Sequence, residues 1–314
     1  MKKKGIIIIN KDFSADWLPL LKKMGINAVG LHSLYQFGGL QAYLEWLQEE
    51  KTQTLIALFE RNGIIVEHQL HAVDWLLPRA LFAEHPLWFR ENAQGERVND
   101  WNLCSTNEDA LAYISDSAYR LAQLLKQKTH DYYIWCDDCV DTICHCEKCR
   151  QYNGADQNML IMRAVLSGLK RYDRNARLSF LSYQDSFLLP TLKPSKDIFL
   201  EFAPIGRSHT VPLDSADEEN QKNCKMLEDL LKIFPAETTQ ILEYFLDVSL
   251  YCKWDRSLAG ALPLDREVLE RDIAYYKGLG VDGITTFAGF IDNAWRAQFG
   301  DDSLLLYGEI LNKA

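Results

Sequence analysis

The sequence has no run of the roughly 18 apolar residues that a bilayer-spanning helix needs, so none of its 314 residues is read as a transmembrane segment. Positive charge is also in short supply. The 34 Lys+Arg stand against 44 Asp+Glu, a net charge of -10. That balance argues against nucleic acid or an anionic membrane as partner, since both call for a basic face. No G-x-G-x-x-G follows a β-rich run, and neither a P-loop nor H-E-x-x-H occurs. Dinucleotide, nucleoside-triphosphate and zincin chemistry therefore leave no signature. G-x-S-x-G is missing too, and no Cys-His pairing for a thiol nucleophile is signalled beyond His145. The opening, Met1 to Lys4 before Ile6–Ile9, imitates a secretory signal. Its apolar stretch is too short, however, and Asn10-Lys11-Asp12 end it without a small-residue cleavage site. It is read as a first strand, and a cytoplasmic location with reduced thiols is expected.

Apolar residues make up 47% of the chain and charged residues 25%, the balance of a globular protein with a substantial core. Aromatics reach 11%, with eight Trp and fourteen Tyr, which suits either a large core or a site that stacks on flat ligands. Short β-rich runs alternate with amphipathic segments along the whole length. The strands are expected at 5–10, 27–33, 63–71, 131–138, 177–184, 197–204, 239–248 and 283–291. Helical spacing of apolar residues marks 16–25, 40–61, 108–127, 158–172, 220–233 and 266–279. A long excursion, 72–106, follows the third strand, and the link between the fifth and sixth is too short for a full helix. Eight such units predict a (β/α)8 barrel, with a doubly wound open sheet as the rival. No Pro/Gly/Ser-rich linker divides the chain, so residues 1–314 are read as one domain.

Barrel enzymes place their chemistry at the C-terminal ends of the strands. This rule selects Glu67, His68 and His71 on strand three, Trp135, Asp137 and Asp138 on strand four, and Glu201 on strand six. Strand seven adds Glu243, Tyr244 and Asp247, and strand eight Asp292 and Trp295. Carboxylates interleaved with aromatics fit carbohydrate chemistry, in which one protonated and one ionised carboxyl flank the scissile bond. Glu243, inside the apolar run ILEYFL, is expected to be either ion-paired or an acid with a raised pKa.

Cys136, Cys139, Cys144, Cys146 and Cys149 crowd into a Cys-rich loop after strand four. The C-x-C-x-x-C spacing of the last three suits a structural zinc, which needs a fourth ligand: Cys104, Cys136, Cys139 or His145. Disulfides or free thiols are the alternatives. Cys224 and Cys252 are isolated.

These residues resemble those of a bacterial family of uncharacterised, glycosidase-like barrels. The likeness rests on His85-Pro86, Gly95-Glu96-Arg97, Leu103-Cys104, Asp138, the Cys144 to Cys149 motif, and Ser182-Tyr183 with Pro190, over roughly residues 60–250. The resemblance implies that Cys104 joins Cys144, Cys146 and Cys149 as the fourth metal ligand. More distantly, the barrel is similar to those of family 20 hexosaminidases and family 67 α-glucuronidases. Family 20 enzymes carry an Asp-Glu pair after strand four where this chain has Asp137-Asp138, so hexosaminide cleavage is not implied.

The resulting expectation is a glycoside hydrolase acting on an oligosaccharide or glycan fragment, with Asp138 and Glu243 as its carboxyl pair. Trp135, Tyr244 and Trp295 would form the sugar platform, with Glu67, His68, Asp137, Glu201, Arg207 and Asp292 as further contacts. A non-catalytic carbohydrate-binding barrel with a structural zinc is the alternative, and a zinc-dependent hydrolase the third reading.

Overall fold

The β-rich runs become parallel strands whose side chains are buried on both faces almost throughout, as a strand between barrel interior and helix layer requires, although β3, β5 and β8 carry polar residues there as well. In the computed structural model, which describes residues 1–33 and 38–314, the strands are β1 Lys3–Ile9, β2 Ala28–His32, β3 Ile65–His71, β4 Asp131–Trp135, β5 Arg177–Ser182, β6 Ile198–Phe202, β7 Gln240–Glu243 and β8 Gly283–Phe287. They close in chain order into one barrel. The closed (β/α)8 barrel thus replaces its open-sheet rival. The helices are α1 Trp17–Met24, α2 Gly39–Gln48, α3 Glu50–Arg61, α4 Val73–Leu76, α5 Glu108–Leu125, α6 Gly154–Tyr172, α7 Glu218–Leu230, α8 Arg266–Gly278, α9 Asn293–Phe299 and α10 Asp302–Lys313. Only a short 3₁₀ turn, Gln184–Ser186, forms between β5 and β6. None of these helices is long and apolar enough to cross a membrane.

Contacts divide the chain into two units. The first comprises Met1–His32, Glu49–Glu67 and Glu201–Ala314. Here β1 lies between β2 and β8, with Ile6 opposite Val29 on one side and Thr286 on the other. Strand β7 pairs with β8 through Glu243 opposite Thr286. The second comprises Ser33–Gln48 and His68–Leu200. Within it β4 pairs with β3, His71 opposite Trp135, and with β5 through Asp131 opposite Arg177. Helices α5 and α6 pack at close range in this unit: a Cβ on Gly168 would sit 2.0 Å from the Ser115 carbonyl oxygen. Asn107 and Asn153 cap these two helices by accepting from Ala110 and Asp156 backbone N–H groups.

The excursion after β3 is ordered by the antiparallel bridges Phe89–Leu103 and Glu91–Arg97. It carries Cys104 to the Cys-rich loop that follows β4, where Cys104, Cys144, Cys146 and Cys149 form a buried cluster.

Candidate active site and metal centre

In the second unit, the ends of β3, β4 and β5 bring three rings together. The Trp135 indole N–H donates to Ser179 Oγ at 3.0 Å, and its ring meets His71 edge-on at 5.1 Å. His71 in turn lies 6.4 Å from Tyr183, and its Nδ1 is 2.5 Å from the Cys136 carbonyl oxygen. Directly beyond stand the two aspartates, past the end of β4, and their surroundings differ. Asp137 is buried and accepts from Arg79 at 2.8 Å through Oδ2, while its Oδ1 is buried with no hydrogen-bond partner among the described residues. Burial pushes its carboxyl up to about 6, with Arg79 pulling the other way. Asp138 is partly exposed, and its carboxylate takes no hydrogen bond or ion pair among the described residues.

His68 is aimed elsewhere. Its Nδ1 lies 2.6 Å from Tyr43 Oη of α2, and burial pushes the imidazole down to about 4. Glu67, in the first unit, is the third residue of β3 and is held by Lys3, the first residue of β1, at 2.5 Å. The sequence reading put both at the strand end as sugar contacts; the structure gives each of them a protein partner lower down the strand.

The first unit has its own ring cluster at strand ends. Tyr244, just past β7, stacks parallel to Phe287 of β8 at 6.2 Å, and His209 meets it edge-on at 6.1 Å. Phe287 continues to His32 at the end of β2, 5.0 Å away. Glu243 is wholly buried in a charged network. Tyr276 of α8 donates to its Oε1, Arg207 Nη1 lies 3.6 Å from the same oxygen, and Arg207 Nη2 reaches Asp272 of α8 at 2.5 Å. Of the two alternatives that its apolar strand raised, the ion pair is therefore present. It also engages Arg207, which was expected to contact substrate. Burial outweighs the guanidinium at Asp272 and pushes that carboxyl up to about 6.

Asp292 caps α9 through the Trp295 backbone N–H and accepts from Arg256 at 3.0 Å; the same guanidinium reaches Asp12 at 2.7 Å. Trp295 is buried and donates from its indole N–H to the Gly260 carbonyl at 2.8 Å. Glu201 is buried on β6 and has interaction partners of its own. Asp247 accepts from Ser249 N–H and Oγ with one oxygen, and burial pushes it up to about 6. Gly289 is required beside it, since a Cβ there would stand 2.3 Å from Asp247 Oδ1.

Sequence reasoning missed His32, His209 and Phe287. For His32 and Phe287 the signal was an aromatic ring at a strand end, the same one that selected Trp135 and Tyr244; His209 lies in the loop well past β6 and left no such signal.

The four sulfurs of Cys104, Cys144, Cys146 and Cys149 lie within 4.8 Å of one another, and all four residues are buried. Cys104 Sγ is 3.7 Å from both Cys146 and Cys149 Sγ. A tetrahedral ion with metal–sulfur bonds of about 2.3 Å has sulfur–sulfur edges of about 3.8 Å, so the donor set fits a metal ion. Donors surround it as thiolates require: Glu91 N–H and Arg97 Nη1 point at Cys144 Sγ at 3.3 and 3.9 Å, and Thr106 Oγ1 lies 3.2 Å from Cys149 Sγ. Gln157 of α6 pins the knuckle, accepting from Cys144 N–H at 2.9 Å and donating to the Cys144 and Cys149 carbonyls.

A closed (β/α)8 barrel with rings and carboxyls at its strand ends defines the class. The chain belongs to the family described as a domain of unknown function, DUF4838, which it matches over residues 35–294. No curated protein matches the sequence. Among solved structures, it is similar to Gan42B, a GH42 β-galactosidase from G. stearothermophilus, with TM-score 0.57 and 12% identity over 99% of this chain and 56% of that one. The β-galactosidase from Rahnella sp. R3 is similar at TM-score 0.58 and 12% identity, over 98% and 55% of the two chains. PbGH5A, a family 5 glycoside hydrolase from Prevotella bryantii B14, aligns at TM-score 0.55 and 11% identity over 98% and 95%. The chain thus spans just over half the length of these β-galactosidases and nearly all of PbGH5A. At such identities the likeness is one of fold.

Proposed function

We propose that the chain is a single-domain glycoside hydrolase acting on an oligosaccharide or glycan fragment, with Asp138 as its proton-transferring carboxyl. The observation that carries this reading is the state of Asp138. It stands three residues beyond Trp135, partly exposed and without a hydrogen bond or ion pair among the described residues, while Glu67, Asp137 and Glu243 are buried and engaged. An uncommitted, partly exposed carboxyl just beyond a barrel strand is what protonation of a glycosidic oxygen needs. In this reading Glu243 is the second carboxyl, and access to it requires the Tyr276–Arg207 enclosure to open.

That enclosure favours a second reading, a carbohydrate-binding barrel without turnover. In both, the four cysteines hold a structural zinc. Four thiolates would complete a tetrahedral set and leave no position for a reactive water, so the zinc-dependent hydrolase reading gains no support.

The test is turnover on a panel of aryl glycosides, including hexosaminides and uronides, beside Asp138→Asn and Glu243→Gln. Hydrolysis that Asp138→Asn abolishes is expected. Hydrolysis that survives this change removes Asp138 from the mechanism, and glycan binding without turnover transfers the proposal to the second reading.

A further inference from the structure

Strand β4 ends at Trp135, so the backbone that carries Asp137 and Asp138 has left the barrel ladder. Side chains hold it instead: Arg79 binds the Asp137 carboxylate, His71 meets the Cys136 carbonyl, and Asn102 takes the Asp137 backbone. The Asp137 backbone N–H donates to Asn102 Oδ1 at 3.0 Å, and Asn102 Nδ2 donates to Thr142 Oγ1 at 2.9 Å. Thr142 then donates from its backbone N–H and Oγ1 to Asp185 Oδ2, at 2.6 and 2.8 Å. Asn102, Asp137 and Thr142 are all buried. The two side chains that complete this chain stand in register with the metal centre: Asn102 precedes Cys104 by two residues, and Thr142 precedes Cys144 by two. The thiol cluster therefore joins the two segments whose mutual position decides where Asn102 can offer its oxygen.

We propose that Asn102 and Thr142 form a latch through which the four-cysteine metal centre sets the position of the Asp137–Asp138 segment. The proposal rests on the metal reading above. It makes Asn102 and Thr142 positioning residues and gives the metal a task beyond stapling a loop: ordering the backbone that presents Asp138. Nothing in it depends on whether the protein turns over a glycoside.

The experiment is hydrogen–deuterium exchange followed by peptide mass spectrometry on the metal-loaded chain, with metal content measured beside it. Asn102→Ala removes the acceptor of the Asp137 N–H, and Thr142→Val removes the hydroxyl that holds Asn102, whereas Thr142→Ser keeps it. Loss of one buried hydrogen bond corresponds to about a tenfold faster exchange. That increase is expected in the peptide spanning 136–140 for Asn102→Ala and Thr142→Val, with one metal per chain retained and the β8 peptide unchanged. Thr142→Ser should behave as the unaltered protein, and withdrawal of the metal under reducing conditions should release the same peptide. Should Asn102→Ala fail to fold, the Thr142→Val and Thr142→Ser pair carries the test. Unchanged exchange at 136–140 in a folded, metal-loaded variant overturns the latch, as does metal withdrawal that accelerates every peptide alike. A chain that binds no metal at all overturns it together with the zinc reading, and leaves the hydrolase proposal to its own assay.

Discussion

Arg207→Met is the perturbation whose cost the structure determines most directly. The guanidinium lies between Glu243 and Asp272, and all three side chains are fully excluded from solvent. Its removal leaves two buried carboxylates with no counter-charge, though Tyr276 still donates to Glu243 and the Leu213 N–H still reaches Asp272 at 2.6 Å. Removing one partner of a buried ion pair typically costs 3–5 kcal/mol, and here two anions lose the same cation, so about 4 kcal/mol is expected at pH 7.5. The pH dependence follows from the direction of the Asp272 shift. Its folded pKa, pushed up to about 6, lies above the ordinary 3.8, so folding favours its protonated form and stability is gained as pH falls through 6. Without Arg207 that pKa rises further, and the deficit of the variant should shrink when pH drops from 7.5 to 5. Urea unfolding followed by far-UV circular dichroism at the two pH values measures both effects. A deficit below about 1 kcal/mol at pH 7.5, or one that grows on acidification, refutes the reasoning and reopens Glu243 as a residue held loosely enough to meet a substrate.

Gly168→Ala should lower stability by about 3 kcal/mol, the upper range for overpacking, because the new methyl meets backbone oxygen across the α5–α6 contact; an unchanged melting temperature would contradict this packing. Asp137, like Asp272, has a folded pKa of about 6 against an ordinary 3.8, so unaltered protein should gain stability relative to Asp137→Asn as pH falls from 7.5 to 5. Parallel urea curves at both pH values would remove the shift. Cys146→Ser should reduce bound metal from one ion per chain to a weakly held fraction and lower the melting temperature; full retention by elemental analysis would exclude Cys146 as a ligand.

All eight strands were legible in the sequence, because periodicity and β-branched content act locally. The C-terminal end of the third strand was legible too, at His71, whereas those of the fourth to eighth were set too late. The expected seventh strand ran to residue 248, whereas β7 stops at Glu243. Tyr244 to Val248 are as buried as the strand itself, packed into a turn, and hydropathy reads burial rather than backbone direction. The same limit made 40–61 one helix, although the chain breaks between α2 and α3 at Glu49, whose backbone is extended. It also left α9 and α10 unassigned. Among candidate site residues, type was legible and orientation was not. Glu67 was singled out as a strand-end contact and Glu243 as a carboxylate inside an apolar strand, but the cations that claim them, Lys3 and Arg207, lie 64 and 36 positions away in sequence. Short-range patterns carry no information on such pairings.

The pairing of β1 with both β2 and β8 has a consequence for biosynthesis. The Lys2 N–H donates to Asp282 across 280 residues of chain, and the neighbouring strand β8 leaves the ribosome only after all the intervening elements have been made. Until β8 is made the Ile6–Ile9 segment, among the most apolar in the molecule, is therefore an open edge without its second neighbour. Unprotected apolar edges recruit other chains. Lys2, Lys3 and Lys4 stand at its head, and like charges at a strand end keep nascent copies from pairing there. Once the barrel closes, Lys2 is bound by Asp282 and Lys3 by Glu67, so two of the charges that guard the growing chain become fastenings of the finished one.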